Sequence, residues 1–493
     1  MSSYIVPELP MDHMISIIKK GLEKTQVPKK IIIVGAGMAG LVSASLLKQA
    51  GHHVTILEAS ERVGGRVYTM RAPFREGQHL EAGAMRIPDT HLLTLEYIKK
   101  FQLPLENSIN MTLNDMLYVR GIKTRFKIYE QNPDMLGFPV APHERGKTAL
   151  ELLHAATKPV IDYINVNPKK NWPWVLKEFD KYSTDTFLRY NPFGVQLSSG
   201  AIDMIKVLLS IEGFLDLSFL EMIKEILLIA DPNSNFYTIP NGNDQLPKAF
   251  LSQLKNDIHF RQKLTKIVQH DNQVTIHSLH TKILEPSQIT GDLAIMAIPF
   301  SVLKLVEVEP YDSFSLSKWK AIRELHYVAA TKVGIQFKHR FWEKEGLYGG
   351  RTVTDLPIKY VKYPSLGIGK GGPGIVLASY TWGDDDIPWN SLEDGERLAS
   401  ALKNLIPIHG KQVYREFLTG ASHSWSRCPY AAGASALFKP EQAMELSPFI
   451  STPEGRVHFA GEHASSTHGW IQGAIESGIH VAHEVNHLPK TLF

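Results

Sequence analysis

The first strong hydrophobic pattern along the chain is a run of β-branched residues, Ile31–Val34, followed by a glycine-rich segment. A short continuous apolar run bounded by glycine indicates a buried parallel strand. The next stretch, Leu41–Gln49, has the composition of a helix, and Val54–Glu58 predicts a second strand. The pattern therefore predicts a strand–helix–strand unit of the kind that binds a nucleotide.

The glycines of this unit have the spacing of a phosphate-binding turn. Gly35 permits the tight turn, Gly37 lets the backbone approach a pyrophosphate, and Gly40 lets the helix pack close to the strand. Glu58 ends the second strand, where a carboxylate can accept both hydroxyls of a ribose that lacks a 2′-phosphate. A chance glycine-rich turn can share this spacing, but the flanking strand, the helix and the acid favour a dinucleotide site.

Helical spacing dominates the middle of the chain, in Lys147–Asn165 and Ala201–Ala230, and indicates a helical insertion that forms the entrance to a site. Patterns typical of strands return after it. They lie at Ile258–Arg261, Lys266–His270, Gln273–His277, Asp292–Pro299, His326–Phe337, Ile358–Tyr363, Gly374–Thr381 and Arg456–Ala460. Near-continuous apolar strands such as Asp292–Pro299 extend the parallel sheet. His326–Phe337, Ile358–Tyr363 and Gly374–Thr381 predict a second sheet. Met11–Lys24 and Ile471–Val485 are predicted to be helices.

Composition and charge favour a globular protein that acts on small molecules. The 493 residues, 43% apolar and 21% charged, are enough for two or three domains. The net charge of +3 is small, and basic residues are interspersed with acids, so neither a nucleic-acid footprint nor a membrane-surface patch is indicated.

Cysteine usage and hydropathy suggest a cytoplasmic location. The single cysteine, Cys428, excludes an internal disulfide framework and agrees with a reducing compartment. Residues Met1–Pro10 lack the features of a secretory signal, and no stretch has the roughly 20 apolar residues that a membrane helix requires. No Cys-x-x-Cys pair accompanies the 21 histidines, and we expect no metal site.

The segment after the second strand identifies the dinucleotide. Glu58–Arg66 reads Glu-Ala-Ser-Glu-Arg-Val-Gly-Gly-Arg, which resembles the signature of flavin amine oxidases. The resemblance implies FAD rather than NAD, with Arg66 and the two glycines beside the diphosphate and the flavin. Further landmarks, in order over nearly the whole chain, are similar to those of the L-amino-acid oxidases within the monoamine and polyamine oxidase family. They are Gly83–Pro88, Tyr182–Thr184, Gly200–Met204, Thr331–Lys332, Phe341–Glu343, Gly349–Gly350, Thr354–Pro357, Tyr363–Pro364, Trp425–Ser426, Phe459–Glu462 and His468–Ile471.

The resemblance implies an α/β fold with three parts. A Rossmann-type, doubly wound FAD-binding domain would comprise residues 28–72, 242–322 and 440–493. A mixed-sheet substrate-binding domain would comprise residues 1–27, 73–138 and 323–439, and a helical domain would comprise residues 139–241. The family also implies a homodimer.

The implied reaction is oxidative deamination of an L-amino acid. The amine carbon gives a hydride to the flavin, the imine is hydrolysed to a 2-oxo acid and ammonia, and oxygen reoxidises the flavin to yield hydrogen peroxide. Other readings of the same fold remain open: a decarboxylating amino-acid monooxygenase, an amine or polyamine oxidase, and a non-catalytic flavoprotein scaffold. Arg86 argues against simple amines, but not against the monooxygenase.

The resemblance also assigns residues to the substrate. Arg86 would bind the substrate carboxylate, for which a guanidinium is suited because it stays charged and offers two parallel donors. Tyr363 would place its hydroxyl against the same carboxylate. Lys332 would hold a water near the flavin, although a lysine within a strand usually faces solvent.

The pocket walls and the cofactor contacts follow from the same comparison. Trp425 and Trp470 would wall the substrate pocket, and Gly469 would offer its carbonyl to the substrate ammonium. The residues implied to bind FAD are Gly35, Gly37, Ala39, Gly40, Glu58, Ala59, Arg62, Gly65, Arg66, Gly83, Ala84, Met85, Arg86, Leu264, Gly461, Glu462, Trp470 and Ile471.

Three positions depart from the family pattern. Glu225 stands where related eukaryotic enzymes carry a histidine proposed as base or gate; a carboxylate can accept a proton there if burial raises its pKa, or the amine enters neutral. Ser435 replaces an apolar residue that often lines the side-chain pocket, so side-chain preference is left open. Pro429 separates Cys428 from Tyr430, whereas monoamine oxidases attach FAD through a cysteine directly before the tyrosine. We therefore expect non-covalent FAD.

Overall fold

The computed structural model describes residues 9–230 and 234–488. Its strands are β1 (Lys30–Val34), β2 (His53–Glu58), β3 (Thr69–Met70), β4 (Leu80–Glu81), β5 (Ile87–Pro88), β6 (Glu106–Asn107), β7 (Met116–Val119), β8 (Ile122–Arg125), β9 (Phe236–Thr238), β10 (Ile258–Phe260), β11 (Gln262–Gln269), β12 (Val274–His280), β13 (Pro286–Gly291), β14 (Leu293–Met296), β15 (Glu307–Glu309), β16 (Tyr327–Val328), β17 (Ala330–Phe337), β18 (Arg351–Thr354), β19 (Tyr360–Lys362), β20 (Gly374–Trp382), β21 (Phe417–Ser424), β22 (Ser435–Ala436) and β23 (Val457–Phe459).

The helices connect and cover these strands. They are α1 (Met11–Lys20), α2 (Met38–Ala50), α3 (Leu92–Lys100), α4 (Phe126–Gln131), α5 (Ala149–Val166), α6 (Pro168–Phe179), α7 (Thr184–Tyr190), α8 (Ser199–Leu208), α9 (Phe219–Ala230), α10 (Gln245–Ala249), α11 (Leu251–Leu254), α12 (Phe300–Leu303), α13 (Leu316–Glu324), α14 (Phe341–Lys344), α15 (Asp386–Ser391), α16 (Asp394–His409), α17 (Gln412–Glu416), α18 (Gln442–Ile450) and α19 (Ile471–Asn486). None of the helices in the described part of the chain combines the length and apolar character that crossing a bilayer requires.

A parallel sheet in the order β10-β2-β1-β14-β23 carries the glycine-rich turn at its centre. Its strands come from three distant parts of the chain, which the sequence also assigned to one unit. Both faces are buried: Ile31 and Ile33 pack with α2 and α19, while Ile32 and Val34 pack with β11, β12 and α13. Burial on both faces explains the near-continuous apolar strands and confirms the predicted α/β class.

A second sheet supports the other side of the site. Its order is β21-β17-β20-β19-β18-β7-β8, and it is antiparallel except where β18 runs parallel to β7. One face packs on α16 through side chains such as Ile335, Val361 and Tyr363. Helices α5–α9 form a separate apolar core that includes Phe187 and Phe219, whose rings stack with centroids 3.6 Å apart.

The predicted elements differ from the structure mainly at their ends. Every strand predicted between residues 258 and 460 has a counterpart, but the prediction missed β13, β15, β18, β21 and β22. The region Ala201–Ala230 forms two helices, because Ser210 has a φ of 58° and Gly213 lies directly against the backbone of Trp382. The three predicted domain ranges remain predictions. Their residues 1–8, 231–233 and 489–493 lie outside the described part of the chain.

Candidate active site

A cavity of about 500 Å³ lies where the parallel sheet, the second sheet and the helical insertion meet. It begins at the carboxyl ends of β1 and β2, where α/β sheets bind ligands, and its volume is typical of a ligand site. Most residues predicted to act on cofactor or substrate line it: Gly35, Gly37, Ala39, Glu58, Ala59, Arg62, Gly65, Arg66, Gly83, Ala84, Met85, Arg86, Glu225, Leu264, Trp425, Gly461, Glu462, Gly469, Trp470 and Ile471. Gly40, Lys332 and Tyr363 do not line it.

Glu58 fixes the nucleotide end of the cavity. Its Oε2 accepts a hydrogen bond from the backbone N–H of Ala36 at 2.8 Å. Its Oε1 accepts from the N–H and the hydroxyl of Ser60 at 2.8 and 2.7 Å. The carboxylate is thereby oriented at the end of β2, where the sequence places the ribose.

The glycines provide a test of whether a dinucleotide fits. A Cβ on Gly40 would lie 2.0 Å from the carbonyl oxygen of Gly35, so packing of α2 on β1 explains this glycine, and its position outside the cavity lining agrees with that role. A Cβ on Gly37 would meet no protein atom within 4 Å, although Gly37 lines the cavity. Protein packing therefore does not require glycine there, and the space fits a phosphate at the start of α2.

The two arginines of the flavin signature make different contacts. Arg62 folds back onto its own loop, where its guanidinium donates to the carbonyl of Gly65 at 2.7 Å and lies 4.0 Å from the ring of Tyr68. Arg66 reaches across the cavity and pairs with Glu462 at 2.5 Å. Arg66 therefore links the nucleotide cradle to the loop after β23.

Glu462 holds the loop that carries Gly469. One carboxylate oxygen accepts from Arg66 and from the N–H of Ala436 at 3.0 Å, and the other accepts from the N–H of Gly469 at 2.8 Å. Burial acts to raise the pKa of Glu462, but the charge of Arg66, the two neighbouring histidines and the N–H of Gly469 together outweigh burial, and the pKa is lowered. Gly469 has a φ of 74° and is exposed towards the cavity. The predicted carboxylate contact of Glu462 with FAD thus competes with three protein donors.

Arg86 is a cation at the opposite end of the cavity. Its guanidinium donates to the amide oxygen of Asn110 at 2.5 Å and lies 5.5 Å from the centroid of the Phe236 ring. Among the described residues, no carboxylate lies within 4 Å of it, in contrast to Arg66. A guanidinium in a cavity without an acidic partner is suited to bind a carboxylate ligand.

Aromatic side chains that the sequence analysis missed wall this end. Tyr360, Tyr380 and Trp382 line the cavity, and the rings of Tyr380 and Trp382 lie 4.0 Å apart. The hydroxyl of Tyr360 is buried without a hydrogen-bond partner among the described residues. The alternation of side chains along β19 and β20 was visible in the sequence, but it does not determine which face of the sheet meets the cavity.

The assignment of Tyr363 to the substrate carboxylate is corrected by its position. Tyr363 is fully buried in the apolar core beneath the second sheet, outside the cavity. Its hydroxyl pairs with Thr352 and with His409, both at 2.7 Å. Side chains alternate along a strand, so Val361 and Tyr363 face this core, whereas Tyr360 faces the cavity.

Lys332 points inward rather than to solvent, although it does not line the cavity itself. It is 1% exposed, and its ammonium donates to the carbonyls of Glu81 at 3.1 Å and Gly83 at 2.6 Å. Burial lowers its pKa to about 7. Because Gly83 lines the cavity, Lys332 lies directly behind the cavity wall.

Two acids on one face of α9 hold the loop around Gly469. Glu225 accepts from the indole N–H of Trp470 at 2.8 Å, and Glu221 pairs with His468 at 3.0 Å. Burial raises the pKa of Glu225 to about 7, against the opposing effects of Trp470 and Arg86. No role was predicted for Glu221 or for His468, although His468 lies within a family landmark. Glu221 precedes Glu225 by four residues, a spacing that places both acids on one helix face.

The chain matches the protein family described as flavin containing amine oxidoreductase over residues 38–486. It belongs to this family. YobN of Bacillus subtilis (strain 168), provisionally named an L-amino-acid oxidase, is 53% identical and covers 97% of this chain and 99% of its own. Proteins named L-amino-acid oxidase from Siganus canaliculatus and Pseudechis australis are 35% and 33% identical, covering 96% and 97% of this chain and 88% and 91% of their own.

Solved structures show the same fold at low sequence identity. Cyclohexylamine oxidase from Brevibacterium oxydans IH-35A is 18% identical, with a TM-score of 0.74 over 93% of this chain and 99% of the other. A putrescine oxidase matches with the same values. The enzyme is thus a flavin amine oxidoreductase whose cofactor is FAD, as predicted. No group of three or more potential metal ligands occurs among the described residues.

Proposed function

We propose that this enzyme oxidises L-amino acids to 2-oxo acids with release of ammonia and hydrogen peroxide. The observation that carries the proposal is Arg86, a cavity guanidinium with no carboxylate partner among the described residues. A simple amine leaves this cation without a counter-ion, whereas an amino acid supplies one. The fish and snake relatives named L-amino-acid oxidase support the same substrate class.

The cavity residues divide the binding of an amino acid between them. Arg86 receives the carboxylate through its remaining N–H donors. The carbonyl of Gly469 accepts from the amino group, and Glu462 fixes this loop through the N–H of Gly469. Trp425, whose indole donates to the carbonyl of Ala82 at 2.9 Å, closes the wall and excludes water.

Two groups handle protons and water. Bound FAD supplies the two-electron acceptor, and oxygen regenerates it. Glu225 is held through one carboxylate oxygen by Trp470, and its other oxygen has no hydrogen-bond partner among the described residues. That oxygen accepts a proton from the substrate ammonium. Lys332 holds a water behind the wall formed by Gly83.

Product analysis with L-phenylalanine, D-phenylalanine and phenethylamine tests the proposal. The expected result is equimolar 2-oxo acid, ammonia and hydrogen peroxide from the L-form alone. An amide and carbon dioxide would instead identify a decarboxylating monooxygenase. Turnover of phenethylamine without turnover of amino acids would identify an amine oxidase, and flavin that no amine reduces would indicate a scaffold.

A further inference from the structure

Two cations, the buried Arg351 and the half-buried Lys362, face each other on neighbouring strands near Arg86. In the register of β18 and β19, Arg351 is the cross-strand partner of Lys362. Such partners have Cβ atoms about 5 Å apart on the same face of the sheet, where like charges destabilise the pair. Arg351 and Tyr360 line the cavity. Lys362, two residues beyond Tyr360, lies on the same face of the sheet as Tyr360, directly behind the lining residues.

Three cations converge on three consecutive residues. Lys362 donates to the carbonyl of Ile109 at 2.9 Å and Arg86 to the side chain of Asn110 at 2.5 Å. Arg351 contacts the sulfur of Met111 at 3.1 Å. The segment 109–111 therefore holds the charged ends of all three side chains in one small region.

Among the described residues, one of these three cations has a carboxylate within 4 Å. Asp115 lies 3.6 Å from Arg351 and is its acidic partner. No carboxylate lies within 4 Å of Lys362 or Arg86 among the described residues. Buried charges without partners are costly, and folds retain such clusters where a ligand completes them.

We propose that Lys362 and Arg86 together receive the carboxylate of the substrate, so that Lys362 helps to determine the preference for amino acids over simple amines. This inference rests on the proposed function and extends it to a residue that replaces Tyr363 in the carboxylate site. Lys362 acts beside Arg86, while Arg351 is paired with Asp115.

A pH dependence follows from the surroundings of Lys362. Burial, with Arg86, Arg351 and Lys332 nearby, lowers its pKa to about 7, whereas Asp115 acts to raise it. A bound carboxylate favours the charged ammonium, so binding takes up a proton above this pH. The affinity for a carboxylate should be highest below about pH 7 and fall above it, by roughly tenfold in all once the ammonium is neutral.

Calorimetric titration of the holoenzyme with 3-phenylpropionate tests the inference without turnover. The neutral 3-phenylpropanamide is the control ligand. Because Glu225 titrates in the same range and faces Arg86, the pH series is run with Glu225→Gln present in every protein. The variants are Lys362→Met and Lys362→Arg, and Lys338→Met is the matched control because Lys338 is exposed and donates to the carbonyl of Arg415.

We expect Lys362→Met to weaken 3-phenylpropionate binding roughly tenfold at about pH 6, with the amide unaffected. Lys362→Arg should restore binding and remove the loss of affinity towards about pH 9, because arginine stays charged. Wild-type affinity in Lys362→Met, or an unchanged pH profile in Lys362→Arg, would overturn the inference. If Lys362→Met fails to fold, the Lys362→Arg profile decides alone. A failure of the proposed function would give a different result. In that case 3-phenylpropionate would still bind through Lys362, but L-amino acids would not reduce the flavin.

Discussion

At the scale of single residues, the charged groups of the cavity have distinct surroundings. Arg66 is paired with Glu462 and links two loops, whereas Arg86 has an amide partner and no carboxylate within 4 Å among the described residues. Glu225 lies near Arg86 and is tied to Trp470. Arg66 and Glu462 therefore form a structural ion pair, whereas Arg86 and Glu225 are available to a substrate.

Replacement of Glu225 by Gln should remove a proton acceptor and retain the hydrogen bond from Trp470. Only the carboxylate form accepts a proton, so in the wild type the rate of flavin reduction by an L-amino acid should rise with pH through about 7 and then level. The variant should be slower by about 10²-fold and lack this rise. Stopped-flow reduction across the pH range measures both. An identical profile in the variant would show that the amine enters neutral.

The residues of β19 show what sequence can and cannot predict about the site. The sequence predicts a strand at Ile358–Tyr363, and the structure contains one, but the face that meets the cavity depends on the register with β18 and β20. A shift of one residue reverses every side chain. Tyr363 was therefore assigned to the substrate wrongly, and Tyr360, which lines the cavity, was missed. The roles of the glycines were easier to predict, because few residues other than glycine are tolerated where two backbone segments approach closely.

At the scale of elements, the junction between β1 and α2 positions the phosphates. Gly40 is required by packing, because a Cβ would meet the carbonyl of Gly35. Packing does not require Gly37, since its φ is −73° and a Cβ there would meet no atom of the described residues within 4 Å. The two glycines thus give a matched pair of variants.

Gly37→Ala should leave the apoprotein as stable as the wild type but weaken FAD binding, because the methyl group occupies ligand space. Gly40→Ala should lower the stability of the apoprotein itself, by about 1–3 kcal/mol, since α2 must move away from β1. Thermal melting of apoproteins and fluorescence titration with FAD separate the effects. Equal apoprotein destabilisation by both variants would contradict this account of Gly37.

The helical insertion illustrates a limit at the element scale. Its apolar spacing predicts helices correctly, but the break between α8 and α9 results from a tertiary contact, in which Gly213 lies against the backbone of Trp382. Local sequence does not encode that contact. The position of α9 matters for the site, because it brings Glu221 and Glu225 to the loop at His468–Trp470.

At the scale of the whole molecule, distant parts of the chain assemble one cavity. The parallel sheet supplies the cradle, the second sheet supplies the aromatic wall, and α9 supplies the acids. Order of motifs along the sequence predicted this assembly, because the fold brings strand ends of the parallel sheet to one edge. The aromatic wall could not be predicted in the same way, because its position depends on how the second sheet packs against the rest of the molecule.

Cys428 bears on how FAD is retained, since it lines the cavity with Pro429 and Tyr430. We predict that FAD is held without a covalent bond. Acid precipitation should leave the yellow cofactor in the supernatant, and Cys428→Ala should retain a full complement of FAD. Flavin that stays with the precipitate of the wild type but not of the variant would contradict this prediction.

Anaerobic bleaching of the flavin absorbance, with wild type and Arg86→Met, tests the central claim most directly. L-phenylalanine should bleach the wild type, while D-phenylalanine and phenethylamine should not. Arg86→Met should require a concentration of L-phenylalanine higher by roughly thirtyfold or more, because it lacks the carboxylate partner. Bleaching of the wild type by phenethylamine alone, or an Arg86→Met variant that responds to L-phenylalanine as the wild type does, would contradict the account.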